Sequence, residues 1–384
     1  MSTLIANWSY PTAIRFGAER IVQLADACRA AGMTRPLLVT DRALAALPIT
    51  ARALDILEAG GLGRALFSGV DPNPTEANLA SGIATFTAGR HDGVVAFGGG
   101  SALDLGKLIA LMAGQRADLS VWDLEDIGDW WTRADAAAIA PVVAVPTTAG
   151  TGSEVGRAGV LTNSVTHRKK IIFHPGILPR IVIADPELTV GMPRVITAGT
   201  GMDALAHCLE AYCSPHFHPM SQGIALEGMR LVFENLPTAY AEPGNIEARG
   251  KMMVAAAMGA VAFQKGLGAI HALSHPIGAV YGTHHGTTNA CVMPMVLDFN
   301  RPAIDGLLDR AAAYLGIAGG FDGIRDAIMD LREALSIPRT LGEMGVGADR
   351  LDELTEMALE DPSCAGNPVP MTPDNTRALF EACL

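Results

Sequence analysis

The sequence predicts an α/β domain built on a parallel sheet, followed by an all-helical domain. As far as about residue 186, short apolar runs rich in β-branched residues alternate with helical stretches. This alternation is typical of a parallel sheet with helices on both faces. From about residue 197 the chain has long helical segments and almost no strand signal. Since 384 residues are too many for one ordinary core, we expect two domains, residues 1–190 and 191–384.

The individual elements follow from the spacing of apolar residues and from the turn residues that flank them. The predicted strands of the first domain are residues 36–41, 64–68, 93–97, 141–145 and 180–184. The predicted helices between them are residues 42–59, 75–90 and 101–114. In the second domain the helical spacing is clearest at residues 220–235, 246–264 and 303–315.

Composition and charge exclude several classes of protein. Hydrophobic residues make up 49% of the chain and charged residues only 18%, which excludes a disordered protein. The net charge of −12 is opposite in sign to that of a broad nucleic-acid surface. No apolar run reaches the roughly 20 residues of a membrane span, and residues 1–10 lack a signal-peptide pattern. Six scattered cysteines without a CxxC pair favour a reducing compartment, the cytoplasm.

Polar and glycine-rich segments follow three of the predicted strands. Gly98, Gly99 and Gly100 would let backbone N–H groups approach a pyrophosphate, and Ser101 can cap the next helix. The run is not the GxGxxG fingerprint, and an ordinary strand-to-helix turn is the alternative. Asp41 ends strand 36–41, where a carboxylate suits ribose hydroxyls, although it could equally be a helix N-cap. The hydroxyl-rich residues 146–154 favour contact with a polar ligand.

The strongest site signal is a group of histidines with one aspartate in the second domain. Asp203 and His207 are four residues apart, so they lie on one face of a helix, and His271 and His275 repeat this spacing. His285 follows in a third segment. Three imidazoles and one carboxylate suit a borderline divalent ion, and both iron(II) and zinc accept such a set. The alternative is that each histidine is a core or helix-capping residue.

Four motifs, in this order, resemble those of the iron-containing (group III) alcohol dehydrogenases, and the resemblance covers nearly the whole chain. They are residues 98–107 (GGGSALDLGK), 146–154 (PTTAGTGSE), 201–212 (GMDALAHCLEAY) and 271–279 (HALSHPIGA). The resemblance implies a dinucleotide-binding α/β domain and an all-helical domain, in a homodimer or larger assembly. His216 and His218, in a proline-bounded loop, are not expected to bind the metal.

The resemblance also implies the site residues. The metal, iron(II) with zinc as the alternative, would be bound by Asp203, His207, His271 and His285. The NAD(P) site would be formed mainly by the first domain, from Asp41, Asn73, Gly98, Gly99, Gly100, Ser101, Asp104, Thr147, Thr148, Thr151 and Lys169. An acidic residue at position 41 favours NAD over NADP.

The implied reaction is hydride transfer between NAD(H) and a small alcohol or aldehyde, with the metal acting as a Lewis acid on the substrate oxygen. We expect His275, one helical turn beyond His271, to relay a proton to solvent. Many similar sequences have an Asn where this chain has Gln264 and Lys265 after Phe263. We hypothesise that Gln264 or Lys265 faces the substrate opening and favours an anionic tail. A solvated surface lysine is the alternative.

Three other functions remain open. The first is a metal-independent reductase of the maleylacetate type, which the intact set of four ligands disfavours. The second is a zinc- and NAD-dependent lyase like dehydroquinate synthase. It would need a phosphate-binding cluster of Arg and Lys, and none is evident near Asp203, His271 or His285. The third is a non-enzymatic metal or nucleotide binder, which would leave the spacing of His275 unexplained.

Overall fold

The computed structural model describes residues 12–166 and 168–384, which divide into two compact units. The first, called here the sheet unit, comprises residues 12–148 and 152–190. The second, called the helical unit, comprises residues 191–384 together with the short segment Ala149–Thr151. Within the described residues, the helical unit is therefore built from two separate pieces of the chain.

The sheet unit contains eight strands among the described residues. They are β1 (Ala13–Phe16), β2 (Pro36–Asp41), β3 (Leu66–Val70), β4 (Gly93–Gly98), β5 (Val142–Pro146), β6 (Ala158–Thr162), β7 (Lys169–Phe173) and β8 (Ile181–Ala184). Six of them form a parallel sheet in the order β1-β8-β5-β4-β2-β3, and β6 and β7 form an antiparallel pair. Every residue of β4 and β5 is buried, as expected for strands that are covered on both faces.

The helices of the sheet unit connect successive strands. They are α1 (Leu24–Ala30), α2 (Arg42–Ala45), α3 (Pro48–Ala59), α4 (Glu76–Ala88) and α5 (Gly100–Met112). The helix predicted at residues 42–59 is two helices, because Pro48 lacks an N–H and occupies the first turn of α3. Ser101 does not cap α5 as predicted. Gly99 is the N-cap, and the Ser101 hydroxyl donates to the Pro72 carbonyl at 2.6 Å.

Strands β1, β6 and β7 were not predicted, and β1 and β7 lack the buried apolar run on which the prediction relied. Strand β1 lies at the edge of the sheet, and its residues are exposed or half-buried, so it is not the buried apolar run expected of a central strand. Strand β7 begins with Lys169 and Lys170, and four of its five residues are only half-buried. Such strands are held by pairing with a neighbour rather than by their own hydrophobicity.

The helical unit contains eight α-helices among its described residues. They are α6 (Arg194–Cys213), α7 (Pro219–Ala241), α8 (Ile246–Ala262), α9 (Ala269–Tyr281), α10 (His285–Leu315), α11 (Gly320–Ala334), α12 (Leu351–Glu360) and α13 (Pro373–Cys383). The fold class is thus confirmed. The helix predicted at residues 303–315 is only the end of α10, which continues through Pro294 and Pro302, residues that normally indicate a helix end.

Helix α6 is the centre of the helical unit. All of its residues from Thr197 to Cys213 are buried, and it packs against α7, α8 and α10. A helix that is buried on every side can place polar groups only where other helices supply partners for them. The polar residues of α6 are therefore the natural starting point for a site.

Within the described residues, no single helix is long and apolar enough to span a membrane. The bent pair Ile246–Lys265 and Ala269–Tyr281 passes that test of length and composition only when its two helices are taken together.

Candidate metal centre

The candidate ligands predicted from the sequence meet around one carboxylate oxygen. Asp203 and His207 lie on α6, one helical turn apart, and both are buried. Asp203 Oδ1 lies 3.7 Å from His207 Nε2, 3.7 Å from His271 Nε2 and 3.5 Å from His285 Nε2. A tetrahedral metal with bonds of about 2.1 Å separates its ligand atoms by roughly 3.4 Å. The ligand atoms of Asp203, His207 and His271 all lie within 4.8 Å of one another, so these three side chains could hold a divalent ion, and His285 lies beside the same carboxylate oxygen.

The helix ends bring the ligands of three helices together. His271 lies in the first turn of α9, and His285 is the first residue of α10, after its N-cap His284. Glycines make the close approach possible, because a Cβ on Gly286 would lie 2.0 Å from the Gly199 carbonyl oxygen of α6. The start of α10 therefore packs directly on α6, and this packing places His285 beside Asp203.

The charges of the centre favour a bound cation. Burial alone would raise the pKa of Asp203, but the imidazoles of His207, His285 and His271 hold it well below its ordinary value. Burial lowers the pKa of His207 to about 4, despite the opposing effect of Asp203. An ionised carboxylate and a neutral imidazole are the protonation states in which these side chains bind metals.

Glu210 is a member of the site that the sequence analysis missed. Its Oε2 lies 2.5 Å from His271 Nδ1, and its Oε1 accepts a hydrogen bond from the Ile270 N–H at 2.6 Å. Burial would lower the pKa of His271, but Glu210 and Asp203 raise it to about 10. A carboxylate behind a metal-binding histidine fixes its ring and increases its basicity. The i, i+4, i+7 spacing of Asp203, His207 and Glu210 was an available signal.

Asn289 also borders the centre and was not predicted. Its Nδ2 donates to Asp203 Oδ1 at 2.8 Å and lies 3.2 Å from His285 Nε2, four residues earlier on α10. Its Oδ1 is buried without a hydrogen-bond partner among the described residues. The amide nitrogen faces the candidate ligand atoms and holds the Asp203 carboxylate in place.

The predicted proton-relay residue, His275, contacts the carboxylate of Asp361. His275 Nδ1 lies 2.7 Å from Asp361 Oδ2, and its ring stacks on that of His285 with centroids 5.2 Å apart. Burial opposes ionisation of Asp361, yet His275 and the Ser363 N–H hold its pKa below the ordinary value. Asp361 lies 86 residues beyond His275, so no local spacing could have linked the two.

Lys265 is not the solvated surface residue offered as the alternative in the sequence analysis. It is only 2% exposed, and its ammonium donates to the Tyr212 carbonyl near the end of α6 at 2.8 Å. The Gln264 amide donates to the Val261 carbonyl at 2.7 Å. His218, expected not to be a ligand, is the N-cap of α7 and accepts from the Ser221 N–H.

In the sheet unit, several predicted cofactor residues follow neighbouring strands of the sheet. Asp41 ends β2, Gly98 ends β4 and Thr147 follows β5, and these strands are adjacent in the order β5-β4-β2. The carboxyl ends of parallel strands meet at one edge of the sheet, which is where such sheets bind ligands. The backbone at Gly98 has φ +144°, and a Cβ there would lie 2.8 Å from Ala102 Cβ, so the turn requires glycine.

The other predicted cofactor residues lie in several different elements, and two of them already accept hydrogen bonds within the protein. Asn73 is exposed after β3, and Lys169 begins β7. Asp104 accepts from the Ser153 hydroxyl at 2.5 Å and the Val160 N–H at 3.0 Å. Asp41 caps α2 by accepting from the Leu44 N–H at 2.9 Å. Thr148 remains in the sheet unit, whereas Thr151 groups with the helical unit.

Two family models together match almost the whole length of the chain. The family model for iron-containing alcohol dehydrogenase matches residues 11–186, and that for the C-terminal domain of the same family matches residues 197–384. A 4-hydroxybutyrate dehydrogenase from Cupriavidus necator is 38% identical over 97% of this chain and 98% of its own length.

Solved structures show the same similarity. A 1,3-propanediol oxidoreductase superposes with a TM-score of 0.93 at 34% identity, covering 99% of this chain and 100% of that one. A sulfoacetaldehyde reductase from Bifidobacterium kashiwanohense, solved with NAD+, superposes with a TM-score of 0.89 at 30% identity, covering 99% of this chain and 98% of that one. The chain therefore belongs to the iron-containing alcohol dehydrogenase family, as its four motifs predicted, and is an oxidoreductase of that family.

Proposed function

We propose that this protein is a metal- and NAD-dependent dehydrogenase that interconverts a small alcohol and its aldehyde. The observation that carries the proposal is the convergence of three imidazole Nε2 atoms within 3.5–3.7 Å of Asp203 Oδ1. One carboxylate and three imidazoles suit iron(II), which the family's name favours, and zinc equally. When bound, the ion would supply Lewis-acid polarisation of the substrate oxygen, and NAD would exchange the hydride.

The residues of the helical unit have separate parts in this proposal. Asp203, His207, His271 and His285 would bind the ion, and residues 191–384 would form the metal-binding domain. Glu210 orients His271 through Nδ1, so that Nε2 of this ring faces the ion. Asn289 holds Asp203 Oδ1. None of these groups needs to change its protonation state during turnover, since they act by positioning.

His275 is the proposed proton relay. With Nδ1 held by Asp361 at 2.7 Å, the N–H of the ring is directed to this carboxylate, and Nε2 is left with a lone pair that can accept a proton. The side chain of His275 is 20% exposed, so a proton taken up at Nε2 can be passed to water. Asp361 acts as the positioning residue, because it fixes the ring and its tautomer.

Residues 1–190 would form the NAD-binding domain. The dinucleotide would lie along the carboxyl edge of strands β2, β4 and β5, with its pyrophosphate at the Gly98–Ser101 turn and the start of α5. Asp41 would accept a hydrogen bond from the ribose through Oδ2 while Oδ1 caps α2. Its charge would repel a 2′-phosphate, so we propose NAD rather than NADP. Asn73, Asp104, Thr147, Thr148, Thr151 and Lys169 complete the proposed site.

The proposed substrate is a small primary alcohol or aldehyde, with an anionic tail favoured. The names of two relatives support this, because 4-hydroxybutyrate and sulfoacetaldehyde both carry an anionic group.

We also propose that the enzyme works as a homo-oligomer in the reducing environment of the cytoplasm. All six cysteines are free, and five of them are buried.

Activity against a panel of short aldehydes tests the proposal. The protein would be loaded with iron(II) or zinc and assayed with NADH or NADPH at 340 nm, with 4-oxobutanoate and butanal as a matched anionic and neutral pair. We expect iron(II) with NADH to give the highest rate and a chelator to abolish it. Activity that survives complete metal removal would instead indicate a metal-independent reductase, and a uniform preference for NADPH would refute the assignment of Asp41.

A further inference from the structure

One lysine of the helical unit is buried without a counter-ion. Lys265 is 2% exposed and donates to the Tyr212 carbonyl at 2.8 Å. Burial lowers its pKa to about 8, and the only nearby group that acts against this is the Cys213 thiol. Lys265 forms no ion pair with any carboxylate of residues 12–166 and 168–384. A buried ammonium that lacks an anionic partner is costly to the fold.

The second buried lysine of the chain shows how such a charge is ordinarily balanced. Lys107 is 1% exposed, and its ammonium donates to the carbonyls of Ser153 and Ala158. Unlike Lys265, it also lies 3.3 Å from a carboxylate oxygen of Asp104. The Lys107 ammonium therefore has a carboxylate as counter-ion. The Lys265 ammonium has only the carbonyl oxygen of Tyr212 as a partner among the described residues.

Lys265 is one of the residues that line a cavity of about 340 Å³, which we call the Lys265 cavity. Its polar lining includes Ser214, Gln222 and the imidazoles of His216 and His218. Of the described residues that line it, none carries a carboxylate. The described lining residues thus include one lysine and several hydrogen-bonding residues but no carboxylate, a combination that favours an anion.

The remainder of the cavity wall is apolar. Phe217, Leu307 and Pro368 line it, and Phe217 is 38% exposed. Pockets for small molecules usually combine such walls with a few polar groups that fix the orientation of the ligand. A ligand that matches this lining would carry one charged group at one end and a short hydrocarbon body at the other.

The cavity lies away from the candidate metal centre. Lys265 is held at Tyr212, nine residues beyond Asp203 on α6. With a rise of about 1.5 Å per residue, this separation is roughly 13 Å along the helix. Glu210 occupies the intervening turn and is engaged with His271 and the Ile270 N–H. A molecule at Lys265 would therefore not occupy the position of the substrate oxygen.

We propose that the Lys265 cavity is a second ligand site, which binds a small monocarboxylate through an ion pair with the Lys265 ammonium. The single positive charge matches one carboxylate better than a phosphate dianion. The hydrocarbon part of the ligand would lie against Phe217, Leu307 and Pro368. A role for Lys265 as a cap for the last turn of α6 accounts for its bond to Tyr212, but not for the adjoining cavity or the missing counter-ion.

The five lysines of the chain make a direct test possible. Protein labelled with 13C at lysine Cε would be titrated with butyrate, and with butyramide as the uncharged control, while the lysine resonances are followed by NMR. We expect butyrate to shift the Lys265 resonance in a saturable way and to raise the pKa of Lys265 by about one unit. Butyramide should have no such effect. Equal responses to both compounds, or a Lys265 resonance that stays in place, would overturn the proposal.

Two variants separate this site from other binding. Lys265→Met should weaken butyrate binding, measured by calorimetry, by about tenfold or more. Lys251→Met removes an exposed lysine that pairs with Glu247 and should leave binding unchanged. Leu307→Trp keeps the ammonium but fills the cavity, and should also abolish the shift of Lys265. If butyrate binds only at the metal centre, the Lys265 resonance should not shift, and Lys265→Met should bind butyrate as wild type does. The same two results are expected if Lys265 only caps α6.

Discussion

Oε2 of Glu210 lies 2.5 Å from Nδ1 of His271, one of the candidate metal ligands. The other nitrogen of the ring, Nε2, faces Asp203 Oδ1 at 3.7 Å. The Glu210 carboxylate therefore holds the proton at Nδ1, so Nε2 is the nitrogen that would bind a metal after losing its own proton. The centre depends on a residue that need not touch the ion itself.

Glu210→Gln should weaken metal binding by roughly 10- to 100-fold, because the amide orients His271 less strongly and does not increase the basicity of Nε2. The measurement is a competition titration of the apoprotein with iron(II) or zinc against a chelator of known affinity. Glu247→Gln, on the exposed surface of α8, is the control. An unchanged metal affinity in Glu210→Gln would contradict this role.

Asp361→Asn should reduce kcat by about 10- to 100-fold with little change in metal content, since the amide no longer fixes the N–H of His275 at Nδ1. Steady-state kinetics with metal analysis of the same samples would check it. Asp298→Asn, an exchange in the surface ion pair with Arg325, should leave kcat unchanged. Loss of metal in parallel with activity would mean that Asp361 supports the centre and not the relay.

Gly286→Ala and Gly306→Ala should have opposite effects, although both glycines lie on α10. A Cβ at position 286 would meet the Gly199 carbonyl oxygen at 2.0 Å, whereas nothing lies within 4 Å of one at position 306. We expect Gly286→Ala to lower the free energy of unfolding by on the order of 2–4 kcal/mol and to weaken metal binding. Gly306→Ala should raise it by about 0.5–1 kcal/mol. Chemical denaturation measures both, and equal effects would argue against close packing of α10 on α6.

The free energy of unfolding of wild type should rise with pH relative to that of Lys265→Met. The pKa of Lys265 is lowered by burial from 10.5 to about 8. Between these values the unfolded chain binds the proton and the folded chain does not, so folding becomes more favourable as the pH rises. We expect the difference in unfolding free energy between the two proteins to increase by about 2 kcal/mol from pH 7 to pH 10. Lys251→Met should show no comparable trend, and a flat difference for Lys265→Met would mean that its ammonium is not desolvated.

The sequence predicted the parallel strands and the candidate metal ligands because their signals are local. Asp203 and His207 are one helical turn apart, and the central strands are uninterrupted apolar runs. The partners of these residues were harder to recognise. Asp361 reaches His275 only through tertiary packing, and Asn289 is one polar residue among many on a 31-residue helix. Glu210 was predictable from its spacing but carries no distinctive chemistry of its own.

The burial of Lys265 could not be predicted from the sequence. Its residue type is typical of a surface, and no local pattern predicts its burial. The approach of its ammonium to the Tyr212 carbonyl depends on how α6 and the turn after α8 meet. The edge strand β1 has a similar explanation, because its place in the sheet depends on pairing with β8, more than 160 residues away in the chain. Burial and pairing at such distances are properties of the assembled fold.

The short segment Ala149–Thr151 limits where the chain can be cut to exchange its helical unit between relatives. It is separated in sequence from the rest of the helical unit by residues 152–190, and Gly150 packs so closely on Thr200 that a Cβ would lie 2.7 Å from its carbonyl oxygen. A chimaera that exchanges residues 191–384 between relatives would therefore pack α6 against a loop from the other parent, unless the loop at residues 149–151 is transplanted with it.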